Sequence, residues 1–91
     1  MKECIDVEAV ANRLKRIEGQ VRGIIKMIHD EKSCEEILIQ IGSAKSALHQ
    51  AGQVVLEGHL QHCVLYGMES GNEHETIKRL VSAVNQFSKI V

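Results

Sequence analysis

Hydrophobic positions divide the chain into three helical segments. The first begins at Asp6, a good N-cap residue, and runs to about His29. Its apolar residues recur at intervals of three and four, the pattern of a helix that packs lengthwise against another helix. These residues are Val7, Val10, Leu14, Ile17, Val21, Ile24 and Ile28. The pattern therefore predicts a long amphipathic first helix.

The second segment is predicted as one helix from Ser33 to about Glu69. Ser33 and Glu36 form a capping-box pattern at its start, and apolar residues then recur at helical spacing. A break near Gly58 is the alternative. After the stretch from Gly67 to Asn72, a short amphipathic third helix follows. Its predicted cap is Asn72 with Glu75, and its apolar residues are Ile77, Leu80, Val81, Val84 and Phe87.

Composition agrees with an all-α fold. Apolar residues make up 44% of the chain, aromatic residues only 2%, and there is no proline. The 91 residues form one domain, 1–91, which is too small to bury the apolar faces of helices this long, so we expect a homo-oligomer. Three cysteines, an odd number, and the lack of an 18-residue apolar run favour a reducing, cytoplasmic setting and no membrane partner.

The basic residues are concentrated in the first helix. Arg13, Arg16 and Arg22 lie in a window whose only acidic residue is Glu18, whereas no lysine or arginine occurs between Lys45 and Lys78. A basic helix on a nearly neutral protein favours binding of a polyanion such as double-stranded DNA. The alternative is an ordinary solvated helix face.

Cys34, His59 and Cys63 have the spacing of a metal site shared between two chains. His59 and Cys63 are four residues apart and share a face of the second helix. Cys34 lies about eight turns earlier on the same face, roughly 43 Å from Cys63 at about 1.5 Å per residue. An antiparallel partner helix would bring the three together at two sites of a two-fold dimer. The alternative is that two buried cysteines and a surface histidine share this register by chance.

Two thiolates and one imidazole suit Cu(I) or Zn(II), and the lack of an evident fourth ligand favours Cu(I). Cys34 falls in the first turn of its helix, where free backbone N–H groups favour the thiolate. Cys4 is a possible extra ligand, which would shift the preference toward Zn(II) or Ni(II), or a resolving thiol. A disordered terminal cysteine is the alternative for Cys4.

The run RLKRIEGQVRGI in the first helix and the spacing C-x24-H-x3-C in the second resemble the copper-sensing operon repressor (CsoR) family. The resemblance covers nearly the whole chain. It implies an all-α tetramer, a dimer of antiparallel dimers without a helix-turn-helix, that binds operator DNA when ligand-free and leaves it when the inducer binds. It also implies DNA contacts by Arg13, Arg16, Arg22 and Lys45.

Members of that family respond to copper, nickel or cobalt, formaldehyde or persulfide. The triad of Cys34, His59 and Cys63 matches the copper sensors. Two neighbouring positions depart from them: Ser33 stands where they carry tyrosine, and Arg79 where they carry a glutamate that couples metal binding to DNA release.

These departures leave two alternatives to a copper-responsive repressor. In a persulfide-sensing repressor, Cys34 would attack reactive sulfur and Cys63 of the partner subunit would resolve it into a di-, tri- or tetrasulfide cross-link, with no metal cofactor. A copper-buffering protein without DNA function is the other. An enzyme is not expected, because the sequence has no catalytic carboxylate pair, triad or glycine-rich phosphate loop.

Overall fold

The computed structural model describes residues 5–89, and for residues 63 and 64 it describes only the backbone. Cys4 therefore lies outside the described residues. The helices are α1 (Val7–His29), α2 (Cys34–Gly58), a π-helical turn (His59–Val64), α3 (Leu65–Glu69) and α4 (Glu73–Ser88). We call residues 34–69 the second rod, because α2, the π turn and α3 follow one another without a gap.

The predicted all-helical architecture, with a long second helical segment, is confirmed, and residues 5–89 contain no strand. The possible break near Gly58 is a π-helical turn, and it begins at the next residue. Within the described part of the chain, none of the helices combines the length and the apolar character needed to cross a membrane.

Side chains cap two of the helices as the sequence predicts. The Asp6 carboxylate accepts a hydrogen bond from the Ala9 N–H at 3.1 Å, and the Ser33 hydroxyl accepts one from the Glu36 N–H at 3.2 Å. Each bond satisfies a backbone donor that has no partner within its own helix. Asn72 occupies the N-cap position of α4, as predicted. Its side chain makes no capping hydrogen bond, so the predicted side-chain cap is wrong.

Two Schellman turns end α1 and α3. At the end of α1, the Lys32 N–H bonds the Met27 carbonyl and Glu31 has φ +56°. At the end of α3, the Asn72 N–H bonds the Gly67 carbonyl and Gly71 has φ +86°. Such turns place one residue in the left-handed region, which glycine adopts without strain and glutamate does not.

α1 and α2 pack as an antiparallel hairpin with a thin core. Val10 and Ile17 of α1 are buried, and the small Ala44 and Ala51 are the buried residues of α2. Four of the seven apolar positions predicted for α1 instead remain between 43% and 55% exposed. They are Val7, Leu14, Val21 and Ile28, each seven residues from the next.

The protomer is a flat plate and not a compact globule. Its principal extents are 56 × 28 × 13 Å, so its thinnest dimension is about one helix diameter. Its accessible surface is 7227 Å², against about 5,300 Å² for a typical 10.1 kDa monomer. Its radius of gyration is 17.1 Å, against about 12 Å for a compact domain of this length. The long helices have no second layer within one chain.

α4 folds back along the second rod in the antiparallel direction. Near its start, Thr76 lies against Gly67 so closely that a Cβ at Gly67 would come within 2.9 Å of the threonine methyl carbon. At its end, Phe87 lies against Gly52, where a Cβ would come within 2.6 Å of the ring carbon Cζ. The two glycines therefore allow the close approach of α4.

Candidate metal centre and nucleic-acid interface

His59 and Cys63 both lie in the π-helical turn of the second rod. The turn comprises the six residues His59–Val64, HLQHCV, between two α-helical stretches. A π turn closes i to i+5 hydrogen bonds, so its backbone is wider than that of an α-helix, and such turns occur frequently at functional sites. The structure thus departs from regular α-helix at two of the three positions for which the sequence predicts metal ligands.

His59 lies at one end of an apolar groove along α2. The His59 side chain is half-buried, and the groove has a volume of about 510 Å³. The remaining lining residues come from α1, α2 and α4 and are all apolar or glycine. They are Val10, Leu14, Leu48, Ala51, Gly52, Val55, Leu56, Ala83 and Phe87. This imidazole is therefore partly shielded from water on a face that is otherwise hydrophobic.

Cys34 is the first residue of α2, and its thiol is free and exposed. It follows Ser33, whose hydroxyl caps the helix instead of contacting the candidate ligands. The 25 residues from Cys34 to His59 correspond to about 37 Å along the rod. One protomer therefore does not bring the predicted ligands together. Among the described side chains, no three of His, Cys, Asp and Glu are grouped closely enough to hold a metal ion.

Arg79 lies on α4 at about the level of the π turn. Phe87 marks the level of Gly52, and α4 runs antiparallel to the second rod. Arg79 precedes Phe87 by about 12 Å, and His59 follows Gly52 by about 10.5 Å, at 1.5 Å per residue. The Arg79 side chain is exposed. It is one turn from Ala83, which lines the same groove as His59.

Arg13 and Arg16 line a second groove of the α1–α2 hairpin, which shares no lining residue with the apolar groove. Together with Gln20 of α1 and Gln50 of α2 they give it a polar lining and a volume of about 430 Å³. The apolar Ile17 of α1 and Ala47 of α2 complete its lining. The hairpin thus has an apolar groove that includes His59 and a basic, amide-bearing groove that includes two of the predicted DNA contacts.

The other two predicted DNA contacts lie elsewhere on the protomer. Arg22 forms an exposed ion pair with Glu18 at 3.4 Å and does not line the groove. Lys45 is exposed on α2, about 160° around the helix from Ala47 at about 100° per residue. The four residues therefore do not form one surface within a single chain.

Gln50 and Gln20 also line the groove but are not among the predicted DNA contacts. Gln20 is the one that the residue pattern of the first helix identifies. It lies four residues after Arg16 and seven after Arg13, so it shares their helix face. A helical-wheel projection of the first helix places Gln20 beside the two arginines, whereas a count of basic residues alone does not identify it.

The chain matches a family model described as metal-sensitive transcriptional repressor over residues 3–86. It is 38% identical over 88 residues to the copper-sensing transcriptional repressor CsoR of Bacillus subtilis (strain 168), covering 97% of this chain and 87% of that relative. It is 46% identical over 61 residues to the copper-sensing transcriptional repressor RicR of Mycobacterium tuberculosis (strain ATCC 25618 / H37Rv), covering 67% of this chain and 64% of that relative.

Two solved structures share the fold. The copper-sensing repressor CsoR with Cu(I) from Geobacillus thermodenitrificans NG80-2 superposes with a TM-score of 0.87 at 42% identity, covering 91% of this chain and 86% of that chain. The nickel-responsive transcriptional regulator InrS superposes with a TM-score of 0.81 at 30% identity, covering 90% of this chain and 92% of that chain.

Proposed function

Because this chain belongs to the metal-sensitive transcriptional repressor family, we propose that it binds operator DNA when ligand-free and leaves it when Cu(I) binds. The observation that supports this proposal is the π turn His59–Val64, which contains two of the three predicted ligand positions and begins about 37 Å along the second rod from Cys34. The family consists of repressors and not of enzymes, so the prediction that the chain has no enzymatic activity is confirmed.

The oligomer is an antiparallel dimer that pairs into a tetramer. This assignment is supported by the flat protomer and by apolar residues left exposed on both helices of the hairpin, such as Leu14 at 43% and Leu48 at 54%. A partner helix that crosses the second rod near Leu48 covers these residues and removes water from them. The same crossing brings Cys34 of one protomer to His59 and Cys63 of the other.

The donor set fits Cu(I). Two thiolates and one imidazole are soft or borderline ligands, and the groove beside His59 supplies hydrophobic walls that limit access of water. Copper-sensing relatives and the Cu(I)-containing CsoR structure support the same metal. The nickel-responsive InrS shows that this fold also serves other metals, and Zn(II) or Ni(II) would need a further ligand, for which Cys4 is the candidate.

Arg13 and Arg16 bind the DNA backbone from the basic groove. Their guanidinium groups neutralise phosphates and release counterions, which provides affinity that falls with salt. Arg22 and Lys45 reach the same DNA only if neighbouring protomers bring the separate faces together. Metal and DNA are thus two ligands of one assembly, coupled through a change in how its subunits are arranged.

Anaerobic fluorescence anisotropy of a labelled operator tests this function. Cu(I), Ni(II), Zn(II) or a low-molecular-weight persulfide is added to the preformed complex. We expect release at about one Cu(I) per protomer, with a coupling of about 5- to 150-fold in operator affinity. His59→Ala should abolish the release, whereas His74→Ala, an exposed histidine outside the rod, should not. Unchanged anisotropy at saturating Cu(I) contradicts the proposal.

A persulfide-sensing repressor is the second candidate, and the exposed, free thiol of Cys34 favours it. The Cys34 thiolate would attack the outer sulfur of a persulfide, and the donor would leave as its thiol. The partner subunit's Cys63 would then displace hydrosulfide and form a disulfide cross-link, or a longer polysulfide with further donor. Release by the persulfide alone, with a covalent Cys34–Cys63 adduct in the mass spectrum, selects this candidate.

A copper buffer without DNA function is the least favoured alternative. The relatives are transcriptional repressors over nearly the full length of the chain, and the basic groove is present. Failure of the ligand-free protein to bind any DNA at low salt, with intact Cu(I) binding, would favour the buffer over the repressor.

A further inference from the structure

α4 is attached to the second rod at two places, one on each side of the π turn. Thr76 lies against Gly67 on the C-terminal side of the turn, and Phe87 lies against Gly52 on the N-terminal side. Both glycines are positions where a Cβ would collide with the α4 side chain. α4 also contacts the π turn between these attachments.

Phe87 is the more specific of the two attachments. Its ring stacks on the His49 imidazole, with centroids 5.1 Å apart and planes 7° from parallel. The ring also covers Gly52, and it lines the same apolar groove as His59. Phe87 therefore joins the last turn of α4 to the stretch of α2 that leads into the π turn.

The π turn is the least regular element between the two attachments. A residue that moves between a π and an α hydrogen-bonding pattern changes the helix length by about 1.5 Å and its rotation by about 100°. Such a change repositions Gly67 relative to Gly52. Because α4 is held on both sides, it must shift against the rod or detach from it on one side.

We propose that α4 is a strap that reports ligand binding within the π turn, and that Phe87 is the positioning residue that fastens it. This inference rests on the proposed function, since it assumes that His59 and Cys63 bind the inducer. It assigns a role to Phe87, His49 and Gly52, which are not among the proposed metal ligands or DNA contacts. The route does not require a carboxylate at position 79, where this chain has arginine.

The composition of the chain makes the strap directly observable. Phe87 is the only phenylalanine of the chain, so uniform incorporation of 4-fluorophenylalanine gives a single fluorine label at the contact with His49 and Gly52. We would record the ¹⁹F NMR spectrum of the labelled protein before and after one equivalent of Cu(I), under anaerobic conditions. A chromophoric Cu(I) chelator in competition measures metal binding in the same samples.

We expect the ¹⁹F resonance to move when Cu(I) binds to the wild-type protein and to stay in place in His59→Ala. A resonance that stays in place while Cu(I) binds and releases the operator overturns the strap and leaves the proposed function standing. If Cu(I) does not bind at all, the proposed function fails and the strap fails with it. The two failures are therefore distinguishable.

Substitution of each of the three residues in the contact of Phe87 with His49 and Gly52 gives a second readout. The operator affinity of Phe87→Ala, His49→Ala and Gly52→Ala is measured without Cu(I) and at saturating Cu(I), with Cu(I) occupancy checked by the chelator competition, so that each variant is compared with its own ligand-free state. The Cu(I)-induced decrease in operator affinity should fall to less than about threefold, from the 5- to 150-fold typical of allosteric coupling. The exposed neighbours Gln53→Ala and Gln86→Ala are matched controls and should keep the full coupling. Equal coupling of Cu(I) binding to operator release in these three variants and in the two controls overturns the proposal.

Discussion

The Phe87 ring of α4 stacks on the His49 imidazole of α2, with centroids 5.1 Å apart and planes 7° from parallel. The same ring occupies the space that a side chain at Gly52 would need. The absence of a side chain at Gly52 is therefore what lets α4 lie against the second rod. Stability and position of α4 consequently depend on the same contact.

Gly52→Ala should change the stability differently in the wild-type protein and in Phe87→Ala. Alanine in a helix interior is more stable than glycine by about 1 kcal/mol. In the wild-type protein this gain is offset, because the new Cβ displaces the Phe87 ring and its buried surface. In Phe87→Ala the ring is gone, so Gly52→Ala should stabilise by about 1 kcal/mol.

Urea denaturation of the wild-type protein, Gly52→Ala, Phe87→Ala and the double variant measures these changes in stability. All four are compared at one protomer concentration, because oligomerisation contributes to stability. The interaction energy between the two sites should be about 1–2 kcal/mol. Additive effects of the two substitutions would show that Phe87 does not pack on Gly52 in solution.

The helix pattern of the sequence predicts most of this fold. The apolar repeats, the Asp6 and Ser33 caps and the terminating stretch before α4 each depend on local chemistry, which neighbours in the sequence determine. The sequence does not predict the π turn, because the residues His59–Val64 contain no proline and no composition that distinguishes a π turn from an α turn. Only Gly58, just before it, indicated an irregularity.

Prediction of the site was limited in a similar way. Register along one helix placed His59 and Cys63 together, but one helix cannot show how four basic residues distribute over a hairpin. The structure separates Arg22 and Lys45 from the groove of Arg13 and Arg16, because side chains about 100° apart on a helix face different neighbours. The shared metal site stays a prediction, since it needs a second protomer.

The two left-handed turn residues should respond oppositely to substitution. Glu31 has φ +56°, a conformation that costs a side-chain-bearing residue about 1–2 kcal/mol, so Glu31→Gly should stabilise by about 0.5–1 kcal/mol. Gly71 has φ +86°, so Gly71→Ala should destabilise by about 1–2 kcal/mol. Thermal unfolding by circular dichroism measures both. A destabilised Glu31→Gly protein would contradict the turn geometry.

The basic groove predicts unequal roles for the arginines. Arg13→Ala and Arg16→Ala should weaken operator binding and lower the slope of log K against log salt by about one for each phosphate that is no longer neutralised. Arg22→Ala should have a smaller effect, because Arg22 does not line the groove and has the negative charge of Glu18 at 3.4 Å. Anisotropy titrations at several salt concentrations provide the slopes. An equal decrease at all three positions would mean that the groove does not define the DNA-binding surface.

Arg79 should strengthen Cu(I) binding electrostatically. Two thiolates around one Cu(I) leave a net negative charge, and Arg79 lies at about the level of His59. Arg79→Glu should therefore weaken Cu(I) affinity by about three- to tenfold at low salt and less at high salt. Lys78→Glu is the charge-matched control on a different face of α4 and should have little effect. Tighter Cu(I) binding in Arg79→Glu would contradict this electrostatic role of Arg79.

The central claim is that each metal site is shared between two protomers, and mixing two inactive variants tests it most directly. Cys34→Ser and Cys63→Ser should each bind Cu(I) weakly when alone. After random subunit exchange, half of the dimers are mixed and each mixed dimer regains one complete site. The mixture should therefore bind about one Cu(I) per four protomers with wild-type affinity, as two-fold symmetry requires. Recovery of no tight site in the mixture would contradict the shared centre.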